Sequence, residues 1–185
     1  MRDKPSIPLP ILFVFEGILI LLEVPSWFDV FEPRGFEIDQ SFLNMVKTTY
    51  IFRDIGTALF VPMILGAILT VIYCICYLYG RSGKMISILL IIHMIVSVSL
   101  GIFYPMDRYL ETPSVETVTA DGYTRGIGPN AKSAITVNSA NPNFPIFIHI
   151  DILPDKVEGR SFYVIKLGDS VYKAYDPSVY NYHAG

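Results

Sequence analysis

Glu16 and His93 are the residues of this sequence best suited to chemistry, because each is an ionisable side chain inside a long apolar stretch. Each residue lies at a similar distance from the positively charged residues that flank the start of its apolar stretch. Two helices that cross the membrane in the same direction would therefore place the two side chains at the same depth. A buried charge in lipid costs about 2.5–3.5 kcal/mol on insertion scales, unless a partner compensates it. We therefore predict an intramembrane polar pair of Glu16 and His93. The first interpretation is a hydrogen bond that locks the helices together; the alternatives are a proton-relay or quinone-type site, or Glu16 facing a partner subunit.

Other patterns that could hold a metal or a reactive group are weaker. His149 and Asp151 are two residues apart on a predicted strand and share a face, so they are weak candidates for a metal site with Asp176 and His183. We predict no metal, no cofactor and no catalytic residues, since the sequence contains no phosphate loop, nucleophile elbow or metalloprotease helix. The expectation is a protein that is not itself an enzyme, although it is compatible with a subunit of an enzyme complex. A net charge of −3 offers no basic patch, so no nucleic-acid partner is expected.

Three apolar stretches must position the polar pair, at about residues 7–25, 55–79 and 85–104. Charged residues make up 17% of the chain, against about 25% in soluble domains. A membrane-crossing helix needs about 20 apolar residues, because the hydrocarbon core is about 30 Å thick. The first stretch lacks the small-residue cleavage pattern of a signal peptide, so we expect it to be retained. Residues 1–106 are thus predicted to be a bundle of three transmembrane helices in contact with membrane lipids.

The positive charges predict how these helices are oriented. Arg2 and Lys4 precede the first stretch, and Arg81 and Lys84 lie between the second and third. Because short cytoplasmic loops are enriched in Lys and Arg, we expect a multi-pass protein of the cell membrane with a cytoplasmic N-terminus and an extracytoplasmic C-terminal domain. Trp27 is placed as an interfacial anchor. A separate outer loop helix is predicted over residues 40–53.

Small residues recur at every fourth position in the second and third stretches. Close helix packing in lipid depends on such residues, because lipid supplies no hydrophobic force between helices. We expect the two stripes to face each other. The packing residues are Ala58, Pro62, Gly66 and Thr70 on one helix, and Ser97 and Gly101, beyond His93, on the other.

Residues 107–185 form the predicted extracytoplasmic domain, a small all-β unit of antiparallel, sandwich-like architecture. Five strands are expected at residues 114–120, 133–139, 144–153, 161–167 and 170–175, separated by turn signals such as Asp121-Gly122. The end of this domain is rich in tyrosine, which is enriched at protein interfaces. A possible interface is therefore assigned to Tyr172, Tyr175, Tyr180 and Tyr182, with strand packing as the alternative.

These features favour a non-catalytic integral membrane subunit, structural or accessory to a larger complex, whose exported β domain contacts a partner. Other membrane protein subunits are the expected partners. One alternative is a cell-surface module that binds a ligand or a partner. The other is a redox or proton-handling membrane component that uses Glu16 and His93.

Overall fold

The computed structural model describes residues 7–24, 33–79, 84–126, 132–137 and 147–183. Their contacts divide the chain into two compact units. The first comprises Met1–Asp29 and Thr49–Tyr109, and the second comprises Val30–Thr48 and Leu110–Gly185. Several predicted features lie outside the described residues: the basic residues Arg2, Lys4 and Arg81, the anchor at Trp27, the residues that would link strands at 127–131 and 140–143, and the parts of two predicted strands at 138–139 and 144–146.

The first unit is built from helices. They are α1 (Leu9–Glu23), α2 (Gln40–Leu78) from Thr49 onward, α3 (Lys84–Phe103) and the short α4 (Met106–Leu110). Residues three or four apart on a helix share a face. The buried residues follow this spacing, with Leu12, Glu16, Leu19 and Glu23 on α1 and Ser87, Leu90, His93 and Ser97 on α3. Each of these two helices therefore buries one narrow stripe and turns its other faces outward.

Two helices are long and apolar enough to cross a membrane: Gln40–Leu78 and Lys84–Leu110, the second of which includes α4. α1 is also apolar, but its 15 residues rise only about 22 Å, less than the hydrocarbon core of about 30 Å. The structure thus contains three main helices, of which two have the length and composition of membrane spans.

α2 is one continuous helix of 39 residues. The sequence predicted two elements here, a loop helix over residues 40–53 and a separate span from residue 55. The helix begins after Asp39, whose carboxylate accepts a hydrogen bond of 2.8 Å from the amide of Phe42. The residues Arg53-Asp54-Ile55 carry no proline or glycine, so nothing at the junction ends the helix.

An ion pair joins α2 to α4 within the first unit. The Arg108 guanidinium donates to the Asp54 carboxylate, with Nε and Oδ2 3.0 Å apart, and both side chains are mostly buried. The guanidinium carbon also lies 5.7 Å from the centre of the Tyr50 ring, within cation–π range. These contacts fix the chain where α3 gives way to α4.

The second unit contains a closed five-stranded barrel. Its strands are β2 (Pro113–Thr124), β3 (Ser133–Val137), β4 (Phe147–Ile150), β5 (Ser161–Leu167) and β6 (Ser170–Tyr175). They close in the order β2-β3-β4-β6-β5 around a core that includes Ile135, Ile148, Phe162 and Val164. Two short strands, β1 (Glu37–Ile38) and β7 (Asn181–Tyr182), pair in parallel beside it.

The barrel differs from the predicted antiparallel sandwich in closure and in one pairing. β6 inserts between β4 and β5, so it runs antiparallel to β5 but parallel to β4. Closure gives every barrel strand two neighbours and leaves no open sheet edge. A hydrophobic pattern indicates which face of a strand is buried but not which strand lies next to it, so the order was not predictable from alternation alone.

Asp121-Gly122 is not a turn, although the dipeptide predicted one. Both residues lie inside β2, where the pairing with β3 shifts register between Ala120 and Gly122, as at a β-bulge. A Cβ atom at Gly122 would stand 2.9 Å from the Thr136 hydroxyl. Glycine is therefore required here by the close approach of the neighbouring strand, and the strand continues for 12 residues.

Candidate functional site

The structure brings Glu16 of α1 and His93 of α3 into direct contact. The Glu16 Oε1 and His93 Nε2 atoms are 3.2 Å apart, a hydrogen bond between buried side chains. The exposed fraction is 9% for Glu16 and 8% for His93. The level positions inferred from the sequence thus correspond to two side chains that meet inside the bundle.

His93 is hydrogen-bonded at its second ring nitrogen as well. The Ser97 Oγ atom, one helical turn further along α3, lies 3.4 Å from Nδ1. The ring of Phe15 packs edge-on against the imidazole, with centroids 5.8 Å apart. The imidazole is thereby held in one orientation by a carboxyl, a hydroxyl and an aromatic edge.

Gly66 of α2 completes the site by leaving room for it. A Cβ atom at this position would collide with the His93 Nε2 atom and would stand 2.5 Å from the Glu16 Oε1 atom. The backbone of α2 therefore packs directly against the hydrogen bond between the other two helices. Gly66 therefore faces both α1 and α3, whereas the spacing of small residues predicted contact with α3 alone.

Apolar clusters lie on both sides of the polar layer that Glu16, His93 and Ser97 form. One contains Ile7, Leu12, Tyr73 and Leu90, and the other contains Leu19, Ile55 and Leu59. In the first cluster the Tyr73 hydroxyl donates to the Ile7 carbonyl at 2.7 Å and accepts from the Ile7 amide at 3.3 Å. The sequence analysis missed Tyr73 and Phe15, because an aromatic residue in an apolar stretch carries no signal that separates packing from lipid contact.

The other predicted packing residues occupy the same interior to different degrees. Pro62, Thr70 and Ser97 are buried, while Ala58 and Gly101 are half-buried. A Cβ atom at Gly101 would lie 3.8 Å from the Leu59 side chain, an ordinary contact, so this glycine is not required by space. Among the residues of the two stripes, Gly66 is the one that must lack a side chain for the site to form.

Two buried polar atoms of this interior, Glu16 Oε2 and Thr70 Oγ1, make no hydrogen bond with any described residue. Thr70 is one helical turn beyond Gly66 on the same buried face of α2. A buried polar atom left without a partner is costly, by about 1–3 kcal/mol. The layer thus keeps hydrogen-bonding capacity that the described side chains leave unused.

Serine, histidine and glutamate are also the residue types of hydrolytic triads, but the geometry here differs from a working nucleophile. Ser97 is only 1% exposed, and a nucleophilic hydroxyl must reach the substrate carbonyl. Ser97 is also held on the same helix turn as its imidazole. The arrangement is suited to sharing a proton or fastening helices.

The four tyrosines of the possible interface divide into two pairs. Tyr175 and Tyr180 are each 2% exposed, with their rings 4.9 Å apart at a steep angle. Tyr175 also packs against Phe42, and Tyr180 packs against Phe36. These two side chains therefore belong to the core of the second unit, whereas Tyr172 and Tyr182 are half-buried.

The weak metal candidates are engaged in other contacts. Asp151 accepts a hydrogen bond of 2.7 Å from Lys173, and the His149 ring lies 3.4 Å from the Ser133 carbonyl. Asp176 is buried and pairs with Arg160 at 2.7 Å. Within the ranges that the structure describes, no three histidine, cysteine or acidic side chains gather into a group that could hold a metal ion.

No protein-family model, curated protein or solved structure matches this chain.

Replacing Gly66 by alanine tests the close approach of α2 to the polar pair. We expect Gly66→Ala to push Glu16 and His93 apart and to lower the stability of the purified protein by about 1–3 kcal/mol, the usual cost of overpacking. Gly17→Ala is the matched control, because a Cβ atom at Gly17 would meet nothing within 4 Å. Thermal unfolding in detergent measures both variants. Equal melting temperatures for the two would contradict the packing described.

The hydrogen bond between Glu16 and His93 predicts that substitutions of the two residues have non-additive effects on stability. Glu16→Leu and His93→Leu each leave one polar group buried without its partner, so each alone should destabilise the bundle by about 3–5 kcal/mol. The double variant removes both groups, and its loss should be clearly smaller than the sum of the two single losses. Unfolding of the four proteins in the same detergent gives this comparison. Additive losses would show that the two side chains contribute independently.

Proposed function

We propose that this protein is an integral membrane subunit, a non-catalytic accessory component of a larger membrane complex, whose barrel unit contacts a partner. The proposed membrane location is supported by the distribution of polar and apolar side chains in the helical unit. Its interior holds Glu16, Thr70, Ser87, His93 and Ser97, all buried. Its outer faces carry large apolar side chains that are about half exposed, among them Ile18, Leu65, Ile68, Ile92 and Ile95.

The outer faces differ from those of a helical bundle in water, because they are apolar where a soluble bundle carries charge. A soluble helix buries its apolar stripe and exposes its charged face, because burial of apolar surface drives folding. In lipid no such force acts between helices, so polar contacts and close packing hold them together. An open apolar groove between α1 and α3, lined by Ile11, Val14, Phe15 and Met94 among others, also suits contact with acyl chains.

The proposed orientation has three crossings of the cell membrane, with the N-terminus in the cytoplasm and the barrel unit outside. Its support is the distribution of positive charge in the sequence, with Arg2 and Lys4 before α1, Arg81 before α3 and Lys84 as the first residue of α3. Two crossings are assigned to α2 and to α3 with α4, which have the length and composition of membrane spans. α1 is proposed as the third, since its buried Glu16 meets His93 at the level of the polar layer.

The barrel unit exposes large side chains that are suited to partner contact. Tyr123 is 50% exposed and Phe147 60% exposed, each next to β3 in the register of the sheet. Aromatic residues are enriched in protein interfaces, where they supply most of the binding energy. These two residues replace the buried Tyr175 and Tyr180 as the proposed contact.

A second candidate function is a surface module that binds a ligand. The strand order of the barrel favours it, because this is the pairing order of the small Greek-key barrels called OB folds, which bind oligonucleotides and oligosaccharides in other proteins. That support is an analogy of fold, and a fold hosts many functions. The anionic chain favours an uncharged glycan over a nucleic acid as the ligand.

Purification of the tagged full chain in mild detergent tests the proposal. We expect the wild-type protein to elute in a stoichiometric assembly with other membrane proteins, and Phe147→Ser to lose that assembly while remaining folded. Asp155→Ser, an exposed substitution in the same unit, is the control and should retain it. A wild-type monomer would contradict the subunit proposal, and a monomer that binds an isolated envelope glycan through Phe147 would favour the second candidate.

A further inference from the structure

We propose that Glu16, His93 and Ser97 bind one exchangeable proton between them, so that the helical unit contains a proton-binding site. The three side chains form a hydrogen-bonded chain, since Glu16 Oε1 lies 3.2 Å from His93 Nε2 and His93 Nδ1 lies 3.4 Å from Ser97 Oγ. Each ring nitrogen thus has a partner that can act as a hydrogen-bond donor or acceptor, so both hydrogen bonds can persist when the site gains or loses a proton. The site does not depend on the proposed role in a complex.

The electrical surroundings of the pair are unusually simple. Between residues 9 and 22 Glu16 is the one charged side chain, and between residues 55 and 78 and between 85 and 103 there is none apart from the ionisable His93. Glu23, the next acidic group on α1, is two helical turns away. The titratable groups of the facing part of α2 are Tyr73, whose hydroxyl is engaged by Ile7, and the half-buried Cys74 and Cys76. No lysine or arginine of these segments can neutralise Glu16, so that task falls to His93.

The geometry distinguishes three protonation states. In the first, the carboxylic acid donates its O–H to the bare Nε2 atom, and Nδ1–H donates to the Ser97 oxygen. In the second, the same proton has moved to Nε2, and the imidazolium donates to the carboxylate while Nδ1–H still donates to Ser97. In the third, the pair has lost a proton: Nε2–H donates to the carboxylate, and the Ser97 hydroxyl donates to the bare Nδ1 atom.

Burial separates the third state from the other two. The first two states are electrically neutral and differ only in which side of the bond carries the proton. The third leaves one uncompensated negative charge inside the bundle, which a low-dielectric interior strongly disfavours. We infer that the folded protein holds the proton, with the Ser97 hydroxyl as the acceptor of Nδ1–H, and that release of the proton reverses the direction of the Ser97 hydrogen bond.

The unused polar atoms of the layer support a site where a proton is exchanged. Glu16 is about nine-tenths buried, and its Oε2 atom makes no hydrogen bond with any residue that the structure describes. The second carboxyl oxygen therefore has no described donor that would stabilise a charged carboxylate, which favours the two states in which the pair keeps its proton. A pair that only fastened helices would gain stability from a partner at this oxygen.

Nitrogen NMR on histidine-labelled full chain in detergent micelles at neutral pH tests the inference. His93 is assigned with a His93→Gln variant, and the exposed His149 is an internal reference. We expect the Nδ1 signal of His93 to be that of a protonated nitrogen, and to move to that of a bare nitrogen when the proton is removed at high pH. A bare Nδ1 atom at neutral pH would overturn the proposal.

Variants of the two α1 glutamates separate a shared proton from simple packing. Glu16→Gln, which preserves shape and hydrogen bonding but cannot hold the proton, should shift the His93 signals and change the pH range over which they respond, whereas the control Glu23→Gln should leave both unchanged. Ser97→Ala should shift the Nδ1 signal specifically. If Glu16→Gln left the pH response of His93 intact, the two residues would not share a proton. If Glu16→Gln failed to fold, the wild-type Nδ1 signal would still decide.

Discussion

The hydrogen bond between Glu16 and His93 is the contact on which the helical unit depends, because it is where all three helices meet at one level. α1 supplies the carboxyl, α3 supplies the imidazole, and α2 approaches closely enough that only glycine fits at residue 66. The apolar clusters on either side can form with many combinations of Leu and Ile, but the polar pair accepts only one register of the helices. Polar contacts in an apolar interior thus provide specificity that apolar packing does not.

The second unit is organised on a different principle. Its barrel closes on an apolar core, and residues before and within the first turns of α2 pack against Tyr175 at the end of β6 and Tyr180 after it. Phe36 adopts a left-handed backbone conformation (φ 60°) next to Gly35, and its ring rests against Tyr180. The buried Asp176 accepts hydrogen bonds from the Arg160 guanidinium and from the Ser178 amide and hydroxyl. These bonds stabilise the turn between Tyr175 and Tyr180. The second unit thus exposes Tyr123 and Phe147 and buries Tyr175 and Tyr180, two of the four tyrosines that the sequence suggested for a partner.

Composition and spacing were sufficient to predict the apolar helices, a β region in the C-terminal part of the chain and two strands with their bounds, Ser161–Leu167 and Ser170–Tyr175, whereas the short helix Met106–Leu110 was not predicted. The proximity of Glu16 and His93 could also be predicted, because the number of residues from the start of each parallel helix gives the depth of a side chain in the membrane. Two features could not be read in this way, since the strand order depends on long-range pairing and the need for Gly66 arises from a third helix that the spacing of small residues did not indicate. The continuity of α2 could have been read, because residues 53–55 contain neither proline nor glycine.

The helical unit is proposed to turn large apolar faces to lipid around a buried polar layer, and spin labels placed along α3 test this most directly. In lipid vesicles, labels at Ile88, Ile92 and Ile95 should collide freely with oxygen and rarely with a water-soluble nickel chelate, since these positions are 58%, 52% and 61% exposed. Labels at Leu90 and Ser97, on the buried stripe, should be protected from both reagents. High accessibility of Ile88, Ile92 and Ile95 to the nickel chelate would place these faces in water and contradict the account.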